Sequence, residues 1–132
     1  MTKPGSAEML RYLNQYKFSI LLAMVIAMLS LMPDSAMPHS SFFSIRYMDK
    51  IVHFSMYAAF GFTALLESRC KLRCRGYHAL LLFTILTISA IIEVLQATVV
   101  ETRAAEWLDM VANAIGLFSG YVAYRLLKYI IS

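Results

Sequence analysis

Charged residues are scarce in this sequence. Only 15% of the 132 residues are Asp, Glu, Lys or Arg, whereas 60% are hydrophobic. A soluble domain of this length needs many polar helix faces in contact with water, so the composition excludes an ordinary soluble domain. The hydrophobic residues fall in long runs, several of which approach the ~20 residues needed to cross the hydrocarbon core of a bilayer. The sequence therefore predicts a membrane protein.

Several motifs of common enzymes are also absent. The chain has only five glycines and two cysteines, and it contains no glycine-rich phosphate loop, no Ser-His-Asp order and no Cys-His nucleophile. No internal repeat or shift in composition marks a second domain. Cys70 and Cys74 lie in a basic loop that we expect to face a reducing cytosol, so we expect reduced thiols and no structural disulfide.

Four apolar segments are suited to forming membrane-crossing helices, with bounds at about 16–32, 49–66, 78–100 and 107–131. Pro33 ends the first segment, because proline cannot continue a helix. The first segment is too long, and lacks the cleavage site, for a removed signal peptide. We therefore predict an all-α fold, a single domain over residues 1–132 formed by a four-transmembrane-helix bundle.

Basic residues are unevenly distributed between the predicted loops. If the amino terminus is cytoplasmic, nine of the twelve Lys and Arg residues lie in cytoplasmic segments, and only Arg46, Lys50 and Arg103 lie outside. Cytoplasmic loops of membrane proteins are enriched in Lys and Arg, so we predict that both termini are cytoplasmic. The net charge of +4 then reflects this orientation and contact with anionic lipid headgroups, and nothing indicates nucleic-acid binding.

Polar residues gather at the three helix ends that this topology places on the outer face. They recur at intervals of three or four residues, which puts them on one edge of each helix. They are Asp49, Lys50, His53 and Tyr57 on the second segment, Glu93 and Gln96 on the third, and Asp109 and Asn113 on the fourth. A charge that faces lipid costs on the order of a few kcal/mol. We therefore expect these edges to face each other around a wet cavity that opens outward.

The order and spacing of these residues resemble a known family. The pattern is Asp49-Lys50-x-x-His53-Phe54, then Glu93-x-x-Gln96, then Arg103, and finally Asp109-x-x-x-Asn113-x-x-Gly116-x-x-x-Gly120. Together these four pieces resemble the signature of the VanZ-like family of bacterial membrane proteins over residues 49–120. The chain departs from the family in one place, because ATVVET before Arg103 lacks the Pro-Gly that often precedes the arginine.

The resemblance implies a protein of the bacterial cytoplasmic membrane that acts at or near the cell envelope. The family is named for a member associated with low-level resistance to the glycopeptide teicoplanin, and many relatives have no defined reaction. The family name therefore implies no mechanism, which has to come from the residues themselves.

His53 and Glu93 are the candidate catalytic residues, because an imidazole and a desolvated carboxylic acid can exchange protons near neutral pH. Lys50 and Arg103 are suited to an anionic headgroup, and Asp109 and Asn113 to the wall of the pocket. Asp49, Tyr57 and Gln96 complete the expected ligand-binding set. A site with one histidine and two nearby cations does not favour a metal, so we expect no metal and no cofactor.

Two classes of function remain open at this point. The first is a protein that binds, and in one version processes, a polar lipid or a lipid-linked envelope precursor. The second is a non-catalytic structural or partner-binding membrane protein, or a small transporter subunit, in which the polar residues only join helices. Ala112, Gly116 and Gly120 are spaced four apart and predict close packing with a neighbouring helix, or a homodimer contact.

Overall fold

The structure, a computed structural model, describes residues 5–32, 48–68, 74–99 and 107–131. Every regular element within these ranges is an α-helix, which confirms the predicted all-α class. The helices are α1 (Ser6–Gln15), α2 (Lys17–Ser30), α3 (Met48–Glu67), α4 (Arg75–Val99) and α5 (Trp107–Ile131).

Two helices occupy the amino-terminal part, where the sequence predicted one. The chain bends by 74° between α1 and α2, and the bend is held by the end of α3. The Glu67 carboxylate accepts hydrogen bonds from the backbone N–H groups of Phe18 and Ser19, both at 2.9 Å. The side-chain amide of Gln15 donates to the Glu67 carbonyl oxygen at 3.0 Å. Each helix terminus thus satisfies backbone groups that the other leaves without partners.

The four-span prediction is only partly supported. By length and hydropathy, Arg75–Thr98 and Trp107–Ile131 are candidate spans, and the bent pair α1 and α2 is a third if it counts as one span. Helix α3 has 20 residues but is not among these candidates. Its sequence carries Asp49, Lys50, His53 and Glu67, and these polar groups reduce its mean hydropathy.

Helices α3 and α5 form the closest packing in the described part of the chain. A methyl group added at Gly116 would lie 2.4 Å from the Phe54 carbonyl oxygen, and one added at Gly120 would lie 2.4 Å from the Ala58 carbonyl oxygen. Only glycine permits the two backbones to approach this closely. Gly116 and Gly120 on α5 therefore pack against α3 of the same chain, and a homodimer contact through Ala112 and these glycines stays a prediction.

An apolar core lies between the two ends of the bundle. It is built from one side of each of the four longer helices, and its buried members are Ile26, Tyr57, Phe60, Ala64, Ile85 and Leu117. Tyr57 is the member nearest the predicted outer end of α3, and its ring lies beside Phe60. The core separates polar residues at one end of the helices from a second polar group at the other end.

Cys74 corrects one expectation from the sequence. It is disulfide-bonded in the structure, so the expectation of reduced thiols is wrong for this residue, and Cys70 lies outside the described residues. That expectation follows from the reducing cytosol, to which the distribution of basic residues assigns this loop. That argument contains no information on whether the backbone brings two sulfur atoms to bonding distance.

Candidate functional site

The polar edges of three helices meet at one end of the bundle. Helical spacing places the polar residues on one side of each helix, and the close contact of α3 with α5 brings two of these sides together. We call the group the polar network; its described members are Lys50, His53 and Tyr57 on α3, Ser89, Glu93 and Gln96 on α4, and Asp109 and Asn113 on α5. All of them except Lys50 are buried.

Asn113 is the central residue of the network and is fully buried. Its side-chain nitrogen donates a hydrogen bond to the Ser89 hydroxyl at 2.7 Å, and its Oδ1 lies 3.1 Å from His53 Nδ1. An amide oxygen only accepts hydrogen bonds, so His53 Nδ1 carries the proton in this contact. In the neutral imidazole, the lone pair is then on Nε2. Asn113 thereby joins α3, α4 and α5 and selects one tautomer of His53.

Glu93 lies next to this histidine. Its Oε1 is 3.8 Å from His53 Nδ1, which is within the range of an ion pair but longer than a hydrogen bond. Its Oε2 is buried and has no hydrogen-bond partner among the described residues. Buried polar atoms in folded proteins nearly always have partners, so an unsatisfied carboxylate oxygen points to a proton, water or ligand that completes the site.

Lys50 and Asp109 form an ion pair across α3 and α5. The Lys50 Nζ and Asp109 Oδ1 atoms are 3.1 Å apart, and the two side chains are 17% and 9% exposed. Asp109 also lies in the first turn of α5, where an acid interacts favourably with the positive end of the helix dipole. The sequence proposed Lys50 as an anion-binding residue, and in this structure its ammonium group contacts a carboxylate of the same network.

The network contains one group of residues that could surround a cation. Each of His53, Glu93 and Asp109 offers a ligand atom within 4.8 Å of the others. Two contacts in this group would compete with a metal ion. Asp109 is paired with Lys50, and His53 Nδ1 is hydrogen-bonded to Asn113. An ammonium group thus provides positive charge where a metal would, and the expectation that the site has no metal stays a prediction.

Of the remaining predicted site residues, two are buried in the described structure and two have side chains that are not described. Tyr57 is 2% exposed, and its ring lies beside Phe60. Gln96 is 4% exposed, and its Oε1 has no hydrogen-bond partner in the described ranges. Arg103 and the side chain of Asp49 lie outside the described residues, so their predicted places at the mouth of the site stay predictions.

Two grooves indent the described surface. One, with a volume of about 420 Å³, runs between α4 and α5 and is lined by Leu86, Thr87, Ala90, Met110, Val111 and Ala114. A second, of about 370 Å³, lies near the carboxyl end of α5. Neither is lined by a network residue. The predicted outward-opening cavity stays a prediction, since the chain segments next to this end of the helices are outside the described residues.

Some functional contacts were not predicted from the sequence. Ser89 is four residues before Glu93 on α4, and this spacing was the available signal for its place in the network. A second polar group lies at the opposite end of the bundle and includes Gln15, Glu67 and His78. His78 is fully buried, and neither of its ring nitrogens has a hydrogen-bond partner in the part of the chain that is described.

Comparison with known proteins agrees with the resemblance found in the sequence. The sequence model of the VanZ/LLP1 family matches residues 6–128. No curated protein and no solved structure matches the chain. The family match includes all five helices apart from the last residues of α5, and thus the entire polar network. This chain is therefore a member of the VanZ/LLP1 family of membrane proteins.

Proposed function

We propose that this protein is a multi-pass protein of the bacterial cytoplasmic membrane whose polar network binds the headgroup of a polar lipid or lipid-linked envelope component. The proposal takes the chain as one domain with four spans, including α3, and with both termini in the cytoplasm. The network is then in the outer half of the membrane, where envelope precursors carry their polar groups.

One observation carries this proposal. Glu93 is 3% exposed beside an imidazole, and its Oε2, like Oε1 of Gln96, lacks a partner among the described residues. Polar and ionisable groups inside a membrane are expensive and mark sites of function. Groups that only joined helices would be expected to satisfy one another completely. The unfilled hydrogen-bonding capacity therefore favours a ligand.

The charges of the network favour proton exchange at this site. The positive charge of Lys50 balances Asp109, which leaves Glu93 and His53 as the pair that determines the net charge. One additional proton, held either by Glu93 or by His53 Nε2, makes the whole group neutral, and a buried neutral group is favoured over a buried charge. Glu93 would act as the acid, and His53, oriented by its bond to Asn113, as the base.

The predicted mouth of the site suits an anionic headgroup. Lys50 is only partly buried, and Arg103 carries a planar guanidinium that can bind a phosphate through two parallel hydrogen bonds. With Asp49 beside them, these residues would orient a headgroup toward His53 and Glu93. A role in sensitivity to glycopeptides such as teicoplanin belongs to this proposal, since those drugs act on lipid-linked envelope components.

Purely structural function is the competing proposal, and the continuous hydrogen-bond chain from His53 through Asn113 to Ser89 is the observation that favours it. These hydrogen bonds join three helices and would help to hold them together.

Transport is less well supported. The apolar core, including Phe60, Ile85 and Leu117, lies between the network and the opposite end of the bundle, where a polar path would have to pass.

A paired measurement separates binding from structure. We expect Glu93→Gln and His53→Asn to keep or raise the melting temperature in detergent, because a functional site holds groups in an arrangement that substitution relaxes. The same variants should lose bound lipid in native mass spectrometry. In a strain that lacks the gene, they should fail to restore the wild-type response to teicoplanin. Ser55→Ala is the matched control on α3, because Ser55 is exposed and bonds only its own helix backbone.

The structural proposal makes the opposite forecast for these variants. Removing one member of a buried pair leaves its partner uncompensated, so stability and complementation would fall together. A proportional loss of both in Glu93→Gln and His53→Asn, with unchanged lipid retention per folded molecule, would favour the structural role.

A further inference from the structure

Helix α1 has an apolar side that nothing in the described structure covers. None of its residues is buried, and Met9, Leu10, Tyr12 and Leu13 are each about half or more exposed. At 100° per residue these four side chains lie on one side of the helix. The opposite side carries polar residues, and it comprises Glu8, Arg11, Asn14 and Gln15. A helix of this kind is amphipathic, and its apolar side needs a partner.

The direction of α1 indicates where that partner lies. Its axis makes an angle of 74° with α2. Spanning helices are tilted by ~20° on average from the bilayer normal, so a helix continuing from α2 at 74° runs close to the membrane plane. The Glu67 and Gln15 hydrogen bonds hold the junction of the two helices against the end of α3. The angle is therefore set by contacts within the protein.

Aromatic residues provide a second indication of depth. The hydroxyl groups of Tyr16, at the junction, and Tyr77, in the first turn of α4, are hydrogen-bonded to each other. Tyrosine is enriched at the level of lipid headgroups, where its ring contacts acyl chains and its hydroxyl contacts water. This pair places the carboxyl end of α1 at the membrane surface, and so makes the apolar side of α1 continuous with the lipid contact of α2 and α4.

We propose that α1 is an interfacial helix whose apolar side docks into the headgroup and acyl boundary of the leaflet that holds the amino-terminal end of α2. Arg11 on the opposite side and Lys17 at the start of α2 are then positioned for the phosphates of anionic lipids. The inference does not depend on the polar network, which lies at the other end of the bundle. It assigns α1 a role as a surface anchor rather than as part of a span.

Tryptophan scanning in bilayers tests this arrangement. Trp107 is the single tryptophan of the chain. In a Trp107→Phe background, all tryptophan fluorescence therefore comes from the one tryptophan that is added. We would introduce Leu13→Trp or Arg11→Trp, two positions on opposite sides of α1, and reconstitute the full chain in phosphatidylcholine vesicles with brominated acyl chains. Bromine quenches tryptophan on contact. We expect several-fold stronger quenching for Leu13→Trp than for Arg11→Trp.

Two results would overturn the proposal. Equal quenching at both positions would mean that α1 does not lie with one side in the lipid. Blue-shifted emission without quenching for Leu13→Trp would mean that protein, such as a second copy of the chain, covers the apolar side. Met9→Trp on the same apolar side repeats the measurement and keeps it decisive if Leu13→Trp does not fold.

Discussion

Asn113 shows how a single amide can organise a membrane site. The residue is fully buried, and it uses both ends of its side chain, as donor to Ser89 and as acceptor from His53. No apolar residue of the same size can replace both functions. In this structure Asn113 positions the groups around it, and its predicted contact with a ligand stays a prediction.

Asn113→Ala tests this role. The change removes both hydrogen bonds and leaves two buried groups unsatisfied, so we expect a loss of about 1–3 kcal/mol in stability. The measurement is the melting temperature of the purified protein in detergent. Thr98→Ala is the control, because Thr98 is exposed and bonds only to backbone carbonyls of its own helix. Equal melting temperatures for both variants would refute a central role for Asn113.

The Lys50–Asp109 pair gives a second prediction for single residues. Because both side chains are largely shielded from water, removing one partner leaves an uncompensated charge and should destabilise the protein by about 3 kcal/mol. Replacing both partners, as in Lys50→Met with Asp109→Leu, should destabilise it by less than either single change. A double-mutant cycle in detergent measures this coupling. Additive effects of the two single changes would mean that the pair contributes no interaction energy.

The sequence alone predicts that His53, Glu93 and Asn113 face one another, because two general constraints act on polar residues in membrane helices. Helical spacing puts them on one edge of each helix, and the high free energy of a charge in lipid turns that edge inward. It did not indicate the cap that Glu67 makes on Ser19. These two residues are 48 positions apart, and no local pattern links a carboxylate at one helix end to the start of another.

At the scale of the elements, the contact between α3 and α5 determines where the polar edges meet. Gly116 and Gly120 let the backbones approach closely, which sets the rotation of α5 and thereby the direction of Asn113. Sequence spacing predicted a close-packed face on α5 but could not choose between α3 and a second chain as its partner. That choice depends on the shape of the facing helix, which the spacing does not contain.

A matched pair of glycine substitutions tests this packing. At Gly120 an added methyl group meets the Ala58 carbonyl oxygen at 2.4 Å, whereas at Gly76 on α4 no atom lies within 4 Å. Gly120→Ala should force the helices apart and destabilise the protein by about 1–3 kcal/mol. Gly76→Ala should be neutral or stabilising by up to about 1 kcal/mol, because alanine is the better helix former. Thermal unfolding of both variants in one detergent gives the comparison, and equal losses would contradict close packing at Gly120.

Helix boundaries were predictable to different degrees. The third and fourth segments, predicted at 78–100 and 107–131, are close to α4 (Arg75–Val99) and α5 (Trp107–Ile131). Long apolar runs define such helices without help from other parts of the chain. The division of the first region into α1 and α2 was not predicted, because the bend depends on hydrogen bonds from Gln15 and Glu67.

For the whole molecule, the distribution of polar groups gives the two ends of the bundle different properties. The polar network occupies one end, while Arg75, Arg125 and Lys128 lie at the other end. Positive charge is retained on the cytoplasmic side of membrane proteins, and the proposed orientation, with the network on the outer side, follows from this rule. The assignment of the network to envelope chemistry rests on this orientation, and the orientation depends on whether α3 crosses the membrane.

The side of the membrane on which the carboxyl terminus lies tests both the orientation of the bundle and whether α3 crosses the membrane. If α3 crosses, the protein has an even number of spans and both termini lie in the cytoplasm. If α3 does not cross, the number of spans is odd and the termini lie on opposite sides. Alkaline phosphatase folds and is active only outside the cytoplasm. We therefore expect a fusion after the last residue to be inactive and a fusion within 33–47 to be active.

A third fusion within 69–73 makes this experiment decisive. It follows α3, so it should be inactive if α3 crosses and active if α3 does not cross. The even-span arrangement predicts the order active, inactive, inactive along the chain. An order of active, active, active would remove α3 from the spans. Helix α4 would then end, and α5 begin, on the cytoplasmic side, so Glu93 and Asn113 would lie there and the proposed site for outer-leaflet lipid would be excluded. Inactivity at 33–47 together with activity after the last residue would invert the molecule, and a site for outer-leaflet lipid would then be on the wrong side of the membrane.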